Sequence, residues 1–288
     1  MTKSDAKQNK RRMMIDSSTG RKIISDDKEQ QFVDFVGRAL LLTNNTWISN
    51  MELERFSLVI NNKRSVSLQN TWISGILNRR VKSVRIHSSF YKLPFSVLTS
   101  YYLFNSPSLE ELELVLKMFS AIKVPTISVH FGHLKLLKLY GIFFTIVPSS
   151  ECMILCLPLL KKFDIKNCMC SGGKDLIVQA PLLENISIEQ DDKFCNKVSS
   201  HGSPSQSIKF NGSDLKQFTY SGCGASQLIH LFDQSFLSFD SAEIILKKCK
   251  ETNLITKRHP FLLLLFQQFH QVKSIKFEGL NLDLEVNM

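Results

Sequence analysis

Three short clusters in this 288-residue chain carry residue types capable of chemistry: Cys168-x-Cys170, His130-x-x-His133 and Gly172-Gly173-Lys174. A structural zinc site takes four Cys or His ligands, commonly in Cys-x-x-Cys type pairs. Neither pair here has that spacing or a second pair to complete it. A phosphate loop needs a glycine five positions before its last glycine and a Ser or Thr after its lysine. Cys168 and Asp175 occupy those two places. No G-x-S-x-G elbow or H-E-x-x-H pair occurs either. No catalytic residue, metal ligand or cofactor site is therefore expected, and the chain reads as a non-enzyme.

What the sequence repeats instead is an apolar-x-x-apolar-x-apolar triplet. Its occurrences are Leu53, Phe56, Leu58; Val81, Val84, Ile86; Leu109, Leu112, Leu114; Leu134, Leu137, Leu139; Leu160, Phe163, Ile165; Leu183, Ile186, Ile188; Leu215, Phe218, Tyr220; and Val272, Ile275, Phe277. Phe239, Ala242, Ile244 is a ninth and weaker one. First positions are 23 to 33 residues apart, a period at the irregular upper end of leucine-rich repeats. The last two apolar positions of each triplet are two apart, so they share one face of a short strand. One unit cannot bury that face alone, whereas stacked units share a continuous core. The expected fold is α/β: a leucine-rich-repeat solenoid with parallel strands on the concave side and helices or irregular turns on the convex side.

Helical spacing of Leu68, Trp72, Ile73, Ile76 and Leu77 predicts one such helix. Asp26 with Glu29 could cap another, containing Phe32, Val33, Phe35, Val36, Ala39 and Leu40. The expected organisation is a polar, disordered segment over 1–29, a solenoid of eight to nine repeats over 30–280, and a short tail over 281–288. Terminal repeats ordinarily need polar caps over the end of the core, and the stretch after Phe277 is short for that purpose.

The side chains between the apolar strand positions should face the concave side. They give a candidate partner-binding row: Arg55, Arg85, His87, Glu111, Glu113, Lys138, Tyr140, Lys162, Asp164, Lys166, Glu189, Gln217, Lys276 and Glu278. Its sign changes along the array, which suits a protein or peptide target selected electrostatically.

The phrases around the repeats resemble the repeat region of plant F-box/LRR proteins. The residues that carry the likeness are Ser106-Pro-Ser-Leu-Glu-Glu-Leu-Glu-Leu114, Val129-His-Phe-Gly-His-Leu-Lys-Leu-Leu-Lys-Leu139, Cys156-Leu-Pro-Leu-Leu-Lys-Lys-Phe-Asp-Ile-Lys-Asn-Cys168 and Leu176-Ile-Val-Gln-Ala-Pro-Leu-Leu-Glu-Asn-Ile-Ser-Ile188. The resemblance spans about residues 30 to 280. It implies a substrate-recognition role in an SCF-type ubiquitin ligase, with an F-box docking on a Skp-type adaptor. Residues 1–40 do not carry the F-box opening Leu-Pro-x-x-Leu-Leu. A Skp partner is thus expected only through a divergent or upstream F-box. The alternative is an F-box-less adaptor, competitor or decaying fragment.

Net charge is +10, and residues 55–92 hold eight basic and no acidic side chains. That block offers a weaker alternative, a site for acidic or phosphorylated ligands. Nucleic acid is not an expected partner, because no helix-turn-helix, zinc-finger or RNA-binding signature accompanies the charge. Seven cysteines without a signal peptide point to reduced thiols in the cytoplasm or nucleus. The longest apolar run, Phe261 to Phe266, falls far below the roughly 20 residues that span a bilayer, so no membrane association is expected.

Overall fold

The computed structural model describes residues 54–60, 66–77, 79–89, 103, 106–123, 128–145, 152–170, 175–191, 206–212, 215–222, 227–231, 240–247, 262–269 and 272–279, together with the backbone of 12–16. The helix expected over Phe32 to Leu40 lies outside these residues.

All nine apolar triplets lead into strands of one parallel sheet. Its path runs β1 (Arg12–Asp16), β2 (Arg55–Ile60), β3 (Ser83–Ser88), β4 (Glu111–Lys123), β6 (Leu136–Thr145), β8 (Lys162–Lys166), β11 (Asn185–Glu189), β13 (Gln217–Gly222), β15 (Ser241–Leu246) and β16 (Ser274–Glu278). The pairing is in phase with the repeat: Phe56, Val84, Leu112, Leu137, Phe163, Ile186, Phe218, Ala242 and Ile275 lie side by side across successive strands. The weak ninth triplet is an ordinary member, with Ala242 and Ile244 fully buried in β15. Strand β1 pairs with β2 inside the segment expected to be disordered, and so adds a backbone ladder beyond the first triplet.

A recurrent bond pattern sets the step between units. From β2 to β13 the carbonyl of the residue just before each front strand accepts two consecutive N–H groups of the next unit. Glu54 accepts from Lys82 and Ser83, Lys135 from Lys161 and Lys162, Glu184 from Lys216 and Gln217, and Lys216 from Asp240 and Ser241. Each unit thereby closes its leading turn on the one before.

The opposite side differs from the expectation of helices or irregular turns. Across the middle of the array it is a second parallel sheet, ordered β14 (Gln227–Leu231), β12 (Gln206–Asn211), β10 (Asp175–Gln179), β7 (Cys152–Cys156) and β5 (Ser128–His130). The physical reason is a second set of apolar pairs two apart: Met153 and Leu155, Leu176 and Val178, Ile208 and Phe210, Ile229 and Leu231, all buried. Period-two alternation on that side buries a strand face as well as a helix would. The chain thus alternates between front and back sheets from β4 to β15. The two sheets meet through residues such as Phe163 and Phe210, whose rings pack edge-on at 5.8 Å. Two runs of helix are described between front strands, and Leu103 is helical as well. One is α1 (Val66–Leu77), with Trp72, Ile73, Ile76 and Leu77 buried as their spacing predicts; the other spans 262–267. The result is a parallel-strand solenoid with few helices.

Corners at the strand ends have their own residue demands. Gly141 has φ of +73°, and a Cβ there would sit 2.3 Å from the Leu116 carbonyl oxygen. Asn167 fills the same corner one unit later at φ of +51°, using the tolerance of asparagine for left-handed backbone. Its side-chain Oδ1 accepts the Asp191 N–H and its Nδ2 donates to the Asp191 carboxylate, both at 2.8 Å.

Candidate functional site

Strand alternation turns every second side chain of the front sheet away from the core, and all fourteen candidate residues stand at such positions. The register converts their sequence order into rows. One row runs Ser57, Arg85, Glu113, Lys138, Asp164, Ser187, Thr219, Glu243, Lys276; the next runs His87, Val115, Tyr140, Lys166, Glu189, Ser221, Ile245, Glu278.

Charged members of these rows engage one another across neighbouring strands. Arg85 Nε donates to Glu113 Oε2 at 2.8 Å, and His87 Nε2 lies 3.0 Å from the other Glu113 oxygen. Glu111 accepts the Ser83 hydroxyl at 2.9 Å. Lys138 and Lys162 each approach Asp164 Oδ2 to 3.8 Å. Lys166 meets Glu189 at 3.0 Å and Asp191 at 3.6 Å, while Lys247 reaches the same Glu189 oxygen at 3.1 Å. Lys276 pairs with Glu243 and Glu278. Arg55 and Gln217 are exposed at their positions on β2 and β13. The row is therefore largely neutralised from within, so it offers shape and dipoles more than net charge.

Burial grades these groups. Asp164 is buried despite facing outward. Desolvation pushes its carboxyl above the ordinary value, and Lys162 and Lys138 offset only part of that. Desolvation also raises the Tyr140 phenol, reinforced by the Asp164, Glu113 and Glu189 charges. For Glu189, burial pushes upward, but hydrogen bonds from Lys166 and Lys247 outweigh it and the carboxyl ends below its ordinary value.

Two features escaped the sequence reading. The residue right after the first apolar position is charged in all nine units: Glu54, Lys82, Glu110, Lys135, Lys161, Glu184, Lys216, Asp240 and Lys273. These form a rim ladder, with Lys135 on Glu110 at 2.8 Å, Lys161 and Lys216 on Glu184 at 3.2 and 3.1 Å, and Lys273 on Asp240 at 2.7 Å. That invariant charge was a readable signal. The second feature is an uncharged block on β11 and β13, Asn185, Ser187, Gln217, Thr219 and Ser221, bordered on β15 by Ser241 and by Glu243, which pairs with Lys276. Paired ions frame it at both strand ends, through Glu184 with Lys216 and Glu189 with Lys247.

The other candidates fall elsewhere. Cys168 is buried, with its thiol against the Leu139 carbonyl at 3.1 Å and accepting the Ile142 N–H at 3.4 Å. Burial pushes that thiol up to about 12, so it acts as a structural group at the corner. His130 and His133 are exposed, and among the described residues no group of three His, Cys, Asp or Glu side chains is placed to hold a metal ion. The described part of the basic block divides between places. Arg55 and Arg85 are on the front face, whereas Arg79 and Arg80 follow the C-terminal end of α1, where cations suit the helix dipole. Among the described residues no helix is long and apolar enough to cross a membrane.

Comparison of the chain with family models, with curated proteins and with solved structures gave no match. The class defined on these grounds is a parallel-strand solenoid with a largely polar front face.

Proposed function

We propose that this chain is a leucine-rich-repeat recognition protein whose front sheet binds a target polypeptide, in the manner of the substrate-recognition region of an SCF-type F-box/LRR ligase subunit. The observation that carries the reading is the uncharged block of Asn185, Ser187, Gln217, Thr219 and Ser221 inside a frame of paired ions, Glu184 with Lys216, Glu189 with Lys247 and Glu243 with Lys276. Interfaces between proteins concentrate charge at the rim and deplete it at the desolvated centre, because burying an ion costs far more than burying a hydroxyl that finds a partner. The resemblance of residues 30–280 to the F-box/LRR repeat region supports the ligase setting, and the odd count of seven cysteines supports reduced thiols, as in the cytoplasm or nucleus.

Site-directed photo-crosslinking in cells tests the face. A benzophenone side chain at Thr219 is expected to trap a discrete protein, while the same group at Asn211 on the back sheet traps none. Equal labelling from both positions sinks the assignment of the face. A pull-down of residues 1–288 against a Skp-type adaptor, with an F-box-containing relative as control, tests the ligase link. Capture keeps the chain in the ligase. Failure of a folded sample leaves an adaptor or competitor that recognises its target without delivering it.

A further inference from the structure

The last described unit is built like an internal one but finished like none of them. Strand β16 pairs with β15 on one side, and among the described residues no strand lies on its other side. Its core-facing Ile275 is 44% exposed and Phe277 only partly buried. On the segment 262–267, Phe266 at 41% exposure has its ring 5.8 Å from that of Phe277, and Leu263, three residues before it, is 54% exposed. Exposed apolar side chains and, among the described residues, an unpaired strand edge thus lie at one end of the solenoid. Exposed apolar surface of that kind marks an association surface, and an unpaired edge is a template for another strand.

We propose that this end is a self-association surface, on which a second copy of the chain docks its own β16 antiparallel across a two-fold axis. Charge complementarity selects the copy and the register. A two-fold contact is isologous, so each residue's partner is fixed by where the axis falls. With the axis at Phe277, Lys276 stands opposite Glu278 of the second copy, twice over. The two Phe277 rings then meet on the core side, and Ile275 faces Gly279, which has no side chain to obstruct it. An axis at Lys276 would set two ammonium groups directly opposite, a destabilising pair. An axis at Ile275 would put Phe277 against Lys273. Only the first register satisfies both faces of the strand. Such a dimer joins the front sheets of two copies into one and leaves the proposed target-binding block on β11 and β13 open in each.

Sedimentation velocity on the full 288-residue chain, from about 1 to 100 µM, tests this over the range expected of a modest interface. The wild type is expected to shift from monomer to dimer within that range. Phe277→Lys is expected to raise the dissociation constant at least about tenfold, the threshold loss for a central interface residue. Because that variant could also disturb the fold, a charge exchange provides the second arm. Glu278→Lys and Lys276→Glu should each dimerise poorly alone, yet dimerise with each other when mixed, since the mixed register restores two opposite-charge pairs. A wild type that stays monomeric throughout overturns the proposal and assigns the apolar end to another occupant, whether residues 280–288 of the same chain or a different protein. Dimerisation unaffected by Phe277→Lys, or a mixture no better than its components, overturns it equally.

Discussion

Strands β8 and β16 share one pattern, Lys-Phe-Asp-Ile-Lys and Ser-Ile-Lys-Phe-Glu, each with two apolar residues two apart between polar ones. In β8 the apolar pair is sealed, with Phe163 at 0% and Ile165 at 3% exposure; in β16 it is open. The difference is not in propensity or in pattern. β8 has a strand on each side and the back sheet in front of it, whereas among the described residues β16 has one neighbouring strand and part of a helix. Burial in a solenoid is thus a property of position in the stack, which is the nearest-neighbour character of repeat proteins. Truncation should make the contrast measurable. Phe163→Ala is expected to cost about 3 to 5 kcal/mol, the transfer term plus a cavity that the two sheets cannot close. Phe277→Ala should cost clearly less in the monomer, about 2 kcal/mol, because its ring is only partly buried. Chemical denaturation of both variants at low protein concentration checks this, and equal losses would show that the end is sealed in solution.

Corners sharpen the comparison from the backbone side. A Cβ at Gly141 would press on the Leu116 carbonyl oxygen inside the stack, and one at Gly279 would press equally on that of Leu246 at its end, each at 2.3 Å. Gly141→Ala must move both β4 and β6, so a loss of about 3 kcal/mol is expected from strain and lost contacts. Gly279→Ala can relax outward and should lose clearly less. Thermal melts of the two variants side by side decide whether the end unit is as constrained as the middle one.

The two sheets also end differently. At the back, the Gln268 side chain stands in for a missing strand. Its Nε2 donates to the Ile229 carbonyl at 3.0 Å and its Oε1 accepts the Leu231 N–H, which satisfies two edge groups of β14. The same Nε2 also meets the Leu264 carbonyl at 2.8 Å and so ties the edge to helix 262–267. Gln268→Ala is expected to cost about 1 to 2 kcal/mol. Gln268→Glu should cost more, since it removes the donor and sets a charge beside a carbonyl. Hydrogen exchange at Leu231 reads the effect directly, and an unchanged Leu231 amide in both variants would mean the edge is protected by something other than Gln268.

How much of this was legible follows from what each level of structure depends on. The front strands and their register were readable because a triplet fixes a strand, and the stacking of triplets fixes its neighbour. The back sheet was equally present in Met153 with Leu155 or Ile208 with Phe210, but its distance from each triplet varies, so no period announces it. The polar row was readable residue by residue, yet its pairing was not. Arg85 and Glu113 are 28 residues apart, and Glu189 and Lys247 are 58 apart. Only the register makes them partners. Asp164 is the sharpest case, since its outward position is obvious from alternation, whereas its burial and the approach of Lys138 and Lys162 to 3.8 Å are not.

That contrast predicts opposite pH responses from two carboxylates on one face, the smallest of the effects considered. Glu189 is held below its ordinary value. Its contribution is therefore present above the unfolded-state carboxylate value and disappears as pH falls through the lower folded-state value. Asp164 is raised by desolvation, so the folded state holds its proton longer than the unfolded one. Stability from that site is greatest below the unfolded value and declines as pH rises through the raised folded value. At neutral pH, Glu189→Gln should then destabilise and Asp164→Asn should stabilise, each by less than about 1 kcal/mol once solvent screening is allowed for. At about pH 3, below both reference carboxylate values, the two differences should shrink together. Melting curves at the two pH values read both signs. If Asp164→Asn destabilises at neutral pH, the two lysines are closing a favourable ion pair on Asp164, and the centre of the face would be held by charge in the same way as the Glu189 network.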